Sequence, residues 1–242
     1  MVTGGSRGIG RAICLRLAGS GVRVAINYVA NRQAAEETQR LIADDGGTGA
    51  LYQADVGSLE ETDAMFSRIE SELGAADLLV TNAGIARSGD NLAMDPGIWR
   101  ETIQVNLHGT FHCVWRAKDK MLEREYGRIV CVSSLLGLKT NTISAERLIA
   151  YGTSKAAIIG FVRYCAAAFG PHVRVNGVAP GYIDTDMTAD VSDEAREMLI
   201  NATPLKRIGE VQEIAELVNF LLSDKSSFTT GRTHVAAGGM GI

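Results

Sequence analysis

Tyr151 and Lys155 stand four positions apart in "YGTSK". That spacing puts both side chains on one face of a helix. A free phenol titrates near ~10, and an adjacent ammonium favours the phenolate and lowers that value. Such a tyrosine can give a proton to a carbonyl oxygen or take one from an alcohol. The pair alone is a weak signal, because a surface tyrosine and lysine on a helix share the spacing. Further polar residues accompany it. Ser133 and Ser134 end an apolar run, Asn106 lies in "QVNLHG", "TNAG" ends at Gly84, and "APGYIDT" ends at Thr185. Each falls at the carboxyl end of an expected strand or in a helix beside one.

"TGGSRGIG", residues 3–10, is a second chemical feature. Gly4 allows a tight turn, Gly8 lets backbone approach a pyrophosphate, and Gly10 permits close helix–sheet packing. A helix starting there offers free N–H groups and a positive dipole end to phosphates. The spacing is GxxxGxG rather than GxGxxG, so the turn alone is also a weak signal. A glycine-rich strand–helix turn without a ligand is the alternative.

These residues need a scaffold that holds them at one rim. Short Val/Ile/Leu-rich runs at 22–27, 49–54, 77–82, 128–133, 173–179 and 233–237 read as strands. Helical patterns occupy 9–18, 32–44, 59–73, 96–123, 150–169 and 211–222. Regular alternation predicts an α/β fold: a single Rossmann-like, doubly wound parallel sheet with helices on both faces. Crossovers should be right-handed, and ligands bind outside the carboxyl ends of the strands. With 242 residues, 46% hydrophobic and 21% charged, the chain suits one domain over 1–242. The net charge of −4 has no basic stripe, which argues against nucleic acid and acidic membrane surfaces. No apolar run approaches ~18 residues and no leader pattern opens the chain, so a cytoplasmic protein is expected. Cys14, Cys113, Cys131 and Cys165 lack metal-site spacing and read as buried free thiols. His108 and His112 lie four apart without a third ligand nearby and read as packing, so no metal is expected.

Taken in order, TGGSRGIG, Asp55-Val56, NAG, Asn106, Ser134, Tyr151-Lys155, Pro180-Gly181 and the closing Gly238-Gly239 resemble the short-chain dehydrogenase/reductase family end to end. Within it, "APGYIDTDM" and "TTGRTHVAAGGM" look most like the 3-oxoacyl-[acyl-carrier-protein] and acetoacetyl-CoA reductases. The resemblance implies an oxidoreductase of fatty acid biosynthesis that transfers the 4-pro-S hydride. It implies four catalytic residues. Tyr151 is the general acid/base. Lys155 lowers its pKa and holds the nicotinamide ribose. Ser134, rather than the adjacent Ser133, binds the substrate carbonyl, since the family serine precedes a small loop ending in glycine. Asn106 holds a water of a proton relay.

The implied coenzyme contacts are Gly4, Ser6, Arg7, Gly8, Ile9 and Gly10 at the phosphates, with Asn27, Tyr28 and Arg32 at the end of the second strand. Asp55 and Val56 bracket the adenine. Asn82, Ala83 and Gly84 line the adenosine ribose side. Pro180, Gly181, Ile183 and Thr185 meet the nicotinamide, beside Tyr151 and Lys155. An NAD site puts an acidic residue at the end of the second strand. Here "INYVANR" has none, and Arg7 and Arg32 suit a 2′-phosphate. NADP(H) is therefore expected over NAD(H). The resemblance also implies a homotetramer formed through the helices at 96–123 and 150–169 and the last strand region.

Two departures qualify the likeness. Only Met1, Val2 and Thr3 precede the turn, where the family carries a longer strand. A shortened leading strand is expected, more readily from where the gene model starts than by design. Seventeen positions separate Ser134 from Tyr151, more than the carrier-protein reductases lead one to expect. The surplus falls in a polar loop at 139–147, and a substrate lid is expected at 189–202. The substrate is thus either a 3-oxoacyl thioester or another ketone, alcohol or sugar. Two non-enzymatic alternatives are a non-catalytic NADP-binding protein and a purely structural oligomer.

Overall fold

The computed structural model describes residues 1–87, 95–140, 148–188 and 191–241. Six parallel strands and eight α-helices alternate along the described residues. The strands are β1 (Val24–Tyr28), β2 (Gly49–Gln53), β3 (Leu78–Thr81), β4 (Gly127–Val132), β5 (Val173–Pro180) and β6 (Thr233–Ala236). The helices are α1 (Gly8–Ala18), α2 (Arg32–Asp44), α3 (Leu59–Leu73), α4 (Pro96–Ile103), α5 (Gly109–Glu123), α6 (Ile149–Phe169), α7 (Asp193–Ala202) and α8 (Val211–Leu222).

β1 pairs with β2, and β3, β4, β5 and β6 pair in that order. Residues 1–3 join the two sets. Val2 bridges Ile26 on one side and Val80 on the other. Its N–H donates to Ala25 O, its carbonyl accepts from Asn27 N, and Thr3 N donates to Val80 O. Three residues therefore do the pairing of a central strand. Val2 is fully buried, a contribution of roughly 1.5–3 kcal/mol.

Alternation along the strands feeds two cores, as a sheet covered on both faces requires. Ile129, Cys131, Val173 and Val175 face α3, α5 and α6. Val130, Val132, Val178 and Val2 face α1 and α8. All four cysteines are free and buried. No helix among the described residues is long and apolar enough to cross a membrane.

The helix expected over 96–123 is not continuous. It widens to a π-turn at Gln104–His108 between α4 and α5. Such turns recur at functional sites because they rotate one side chain out of α-helical phase. Here Asn106 points inward and is fully buried, while Gly109 packs so closely on the Val56 turn that a Cβ would lie 2.7 Å from Val56 Cγ2.

Thr3 ties this architecture to the rim. Its Oγ1 accepts from the N–H groups of both Asn82 and Ala83, each at 2.9 Å. Thr3→Val keeps the shape and removes the acceptor, leaving two amides unpaired in a part-buried place. Each such loss costs ~1–3 kcal/mol, so the urea midpoint should fall by the equivalent of about 2–6 kcal/mol. An unchanged midpoint would refute this role.

Candidate active site

β4 ends in two serines with different duties. Ser133 Oγ donates to Lys155 O at 2.7 Å and holds β4 to α6. Ser134 is extended at the start of a 3-10 turn, Leu135–Gly137, and its Oγ accepts from Leu136 N at 3.2 Å. The same hydroxyl lies near the Tyr151 phenol and favours its ionised form. Gly137 makes the close approach possible. A Cβ there would lie 2.7 Å from the Lys155 carbonyl carbon and 2.8 Å from Ala156 N.

Tyr151 lies in the first turn of α6 and Lys155 one turn on. Lys155 is buried, its Nζ donates to Val132 O at 2.9 Å, and it sits 5.6 Å from the Tyr151 ring centroid. Asn106 reaches the same place from the π-turn. Its Oδ1 accepts from Ile85 N at 2.8 Å, and its Nδ2 donates to Ile85 O and to Ser154 Oγ, each at 3.0 Å. Gly84 closes the group: a Cβ there would lie 3.2 Å from Asn106 Oδ1 and 3.4 Å from Lys155 Nζ. The structure thus brings together Asn106, Ser134, Tyr151 and Lys155, which the sequence scatters over fifty positions. Ser154 was missed. It is fully buried and donates to Tyr151 O at 2.7 Å while accepting from Asn106. Its place inside "YGTSK" was the available signal.

Electrostatics amend one expectation. Among the chain's own groups, burial holds the Tyr151 phenol above its ordinary value, and the Ser134 hydroxyl opposes this. Lys155 does not offset that burial. Burial pulls Lys155 itself down to about 8, with Cys131 beneath it opposing. The sign of the linkage follows. Between about 8 and the ordinary 10.5 the unfolded chain holds more protons at this lysine, so stability rises with pH across that window. Below pH 8 the penalty of burying the ammonium is fully present. Urea unfolding of the wild type should gain about 3 kcal/mol relative to Lys155→Met between pH 7.5 and 10.5, since one unit is ~1.4 kcal/mol. A pH-independent difference would exclude the shift.

The glycine turn lies at the other end of the cleft. Gly4 and Gly8 have φ of 61° and 53°. A Cβ on Gly10 would lie 2.1 Å from Gly4 O. Asn82 Nδ2 donates to Thr3 O at 3.1 Å and Gly4 O at 3.3 Å. Asn27 Oδ1 accepts from Gly4 N at 3.2 Å, and its Nδ2 donates to Ala54 O at 2.9 Å. Both asparagine amides are thus engaged by backbone. Asn27, being fully buried, shapes the turn from beneath rather than reaching a ligand. Tyr28 is buried beside Arg32.

Carboxylates stand just beyond the residues at the end of β1 and beside Arg7. Arg32 Nε donates to Glu36 Oε1 at 2.8 Å, one helical turn on. Arg7 stands 3.6 Å from Asp186. Both cations are exposed, so these pairs contribute little and can exchange partners. Asp55 Oδ1 accepts from Gly57 N at 2.8 Å, which makes it a turn former. The Val56 carbonyl lies 2.9 Å from His112 Nδ1, while His108 Nδ1 lies 2.9 Å from Gln104 Oε1. His112 is buried and His108 is exposed. Pro180 ends β5, and Gly181 N donates to Ala236 O. Ile183 is buried. Thr185 faces the glycine turn, its Cγ2 3.6 Å from where a Gly8 Cβ would stand. Ser6, Ile9 and Ala83 complete this wall by position. The surplus loop lies outside the described residues at 141–147, as does the front of the expected lid at 189–190. The rest of that lid forms α7.

A parallel sheet whose carboxyl rim gathers a glycine cradle, a Tyr-x-x-x-Lys pair, a serine and an inward asparagine defines a class, and sequence comparison agrees. The family model described as "Enoyl-(Acyl carrier protein) reductase" matches residues 4–241, and the chain belongs to the short-chain dehydrogenase/reductase family. The 3-oxoacyl-[acyl-carrier-protein] reductase FabG of Staphylococcus aureus is 39% identical over 241 residues, covering 99% of this chain and 96% of that protein. A 3-oxoacyl-[acyl-carrier protein] reductase of Brucella melitensis with bound NAD superposes with a TM-score of 0.90 at 33% identity, covering 99% of this chain and 89% of that one. A gluconate 5-dehydrogenase of Burkholderia cenocepacia in complex with NADP and tartrate gives 0.91 at 29% identity, covering 98% and 92%.

Proposed function

We propose that this chain is an NADPH-dependent reductase of 3-oxoacyl thioesters carried on acyl carrier protein or CoA. The observation that carries the reading is the meeting of Ser134 and the Tyr151 phenol at the rim, with buried Lys155 one turn behind. The full-length likeness to FabG supports the substrate class.

The residues present fit a dinucleotide. A Cβ would fill the cradle at Gly4, Gly8 or Gly10, and free N–H groups of α1 open beneath it. When bound, the coenzyme supplies a hydride to the carbonyl carbon. Ser134 and Tyr151 hold the carbonyl oxygen between two hydroxyls and stabilise the charge that develops on it. Tyr151 gives that oxygen its proton, which yields the alcohol. Lys155 orients the nicotinamide ribose and keeps positive charge beside the phenol. Asn106 fixes Ile85, and a relay water would bind between it and Lys155. Arg7 and Arg32 exchange Asp186 and Glu36 for the 2′-phosphate, which favours NADP(H) over NAD(H).

Residues 1–242 act as one domain in this reading, in the cytoplasm, where four buried thiols stay reduced. The exposed Phe111 and Trp115 on α5 and Tyr164 on α6 supply the face of a homotetramer. A second reading, reduction of another ketone or sugar, draws on the likeness to the gluconate 5-dehydrogenase and on the long Ser134–Tyr151 spacing.

The test follows NADPH absorbance with acetoacetyl-CoA, a 3-oxoacyl carrier-protein thioester, 5-ketogluconate and an enoyl thioester. Turnover of the first two supports the proposal. Turnover of 5-ketogluconate alone installs the second reading, and oxidation only with the enoyl substrate overturns both.

A further inference from the structure

Arg11 and Thr38 are not themselves among the positions assigned above to catalysis or coenzyme binding, yet both converge on the backbone carbonyl of one that is, Ser6. Arg11 Nη2 donates to Ser6 O at 2.7 Å, and Arg11 Nε points to the same oxygen at 3.2 Å and to Thr38 Oγ1 at 3.0 Å. Thr38 Oγ1 itself lies 3.1 Å from Ser6 O and 3.2 Å from Ala34 O. Arg11 Nη2 also donates to Ala34 O at 3.0 Å. Thr38 is fully buried.

Ser6 is the tip of the glycine turn, and Arg7 follows it. Ala34 lies in the first turn of α2, two residues after Arg32 and hydrogen-bonded to the Asn31 cap. The guanidinium therefore fixes the orientation of the Ser6–Arg7 peptide and, through Ala34, its distance from the start of α2. A loop tip on four glycines would otherwise swing, and a charge-assisted fork is well suited to hold a carbonyl.

We infer that Arg11 and Thr38 are positioning residues for coenzyme choice: they hold Ser6 and Arg7 against the start of α2 so that both edges meet the adenosine 2′-phosphate. The inference rests on the NADPH reading. The nicotinamide end and the four catalytic residues do not depend on the Ser6 carbonyl, so the effect belongs in NADPH affinity rather than turnover. Misplacement of a contact far from the chemistry can cost up to ~100-fold.

The test is fluorescence titration and steady-state kinetics with NADPH and NADH on the wild type, Arg11→Met, Thr38→Val and Thr38→Ser. Arg11→Met should raise the Kd and KM for NADPH about tenfold, keep kcat within about twofold, and leave NADH nearly unchanged. Thr38→Val should shift NADPH the same way by about threefold, and Thr38→Ser should restore the wild-type value. Equal weakening of both coenzymes, or an unchanged NADPH-to-NADH ratio, would overturn the positioning role while leaving the NADPH reading intact. A wild type that prefers NADH would overturn the NADPH reading, and this inference with it. Should Arg11→Met fail to fold, the Thr38→Val and Thr38→Ser pair decides.

Discussion

Replacing Tyr151 with phenylalanine should lower kcat by about 10³-fold or more while the Kd for NADPH stays within about twofold. A positioned general acid is worth ~10²–10⁴, and the hydroxyl is the group that faces Ser134. The ring remains, so the packing of the first turn of α6 and the seat of Lys155 survive. Hydride arriving at a carbonyl without a proton donor would leave an alkoxide in a buried place, held by Ser134 alone. Steady-state kinetics beside a coenzyme titration measures both quantities. A loss under about tenfold would remove Tyr151 from the acid role. Intact binding in an unmutated chain that never turns over would favour the non-catalytic binding protein.

Gly10→Ala should have the largest effect on coenzyme binding. The added methyl would lie 2.1 Å from Gly4 O and 2.7 Å from Asn82 Nδ2. Neither neighbour can step aside cheaply. Gly4 sits at φ 61°, its N–H is held by Asn27 and its carbonyl by Asn82. Relief must come from moving α1 away from the turn, which opens the cradle that the phosphates need. Overpacking of this kind costs ~1–3 kcal/mol. The Kd for NADPH should rise by more than about 100-fold, because the lost geometry belongs to the anion site itself. Gly160→Ala on α6, where a Cβ meets nothing within 4 Å, is the matched control and should leave the coenzyme Kd unchanged. Near-normal binding by the Gly10 variant would mean that the turn is not the phosphate site.

Legibility in the sequence followed the range of each constraint. Local patterns read well: the strands and most helices lie within a few positions of their expected places, because alternation and helical periodicity are set by near neighbours. The glycine turn and "YGTSK" read well for the same reason. Roles set by contacts across the chain did not. Thr3 precedes a turn as any threonine might, and only the fold shows two amides from residues 82 and 83 arriving at its hydroxyl. Asn27 and Asn82 are polar residues at strand ends, the right place for ligand contacts, yet their amides turn toward backbone. The π-turn around Asn106 breaks no pattern of residue types, since it is imposed by close packing at Gly109 and by the bond to Ile85. The Arg32–Glu36 pair is legible as an i, i+4 couple on the helix that follows the strand.

The joint made by residues 1–3 has a mechanical consequence. Residues 1–3 join β1 to β3, with Val2 bridging Ile26 and Val80 and with Met1 and Thr3 bonded to Leu78 and Val80, and the glycine cradle is mounted directly on that join. A dinucleotide lying across that cradle would span both sides like a staple. Its binding energy would then act on the cohesion of the whole sheet as well as on catalysis, rising with free coenzyme as any ligand selective for the folded state requires. Coenzyme supply would thus set how firmly the two halves of the protein hold together.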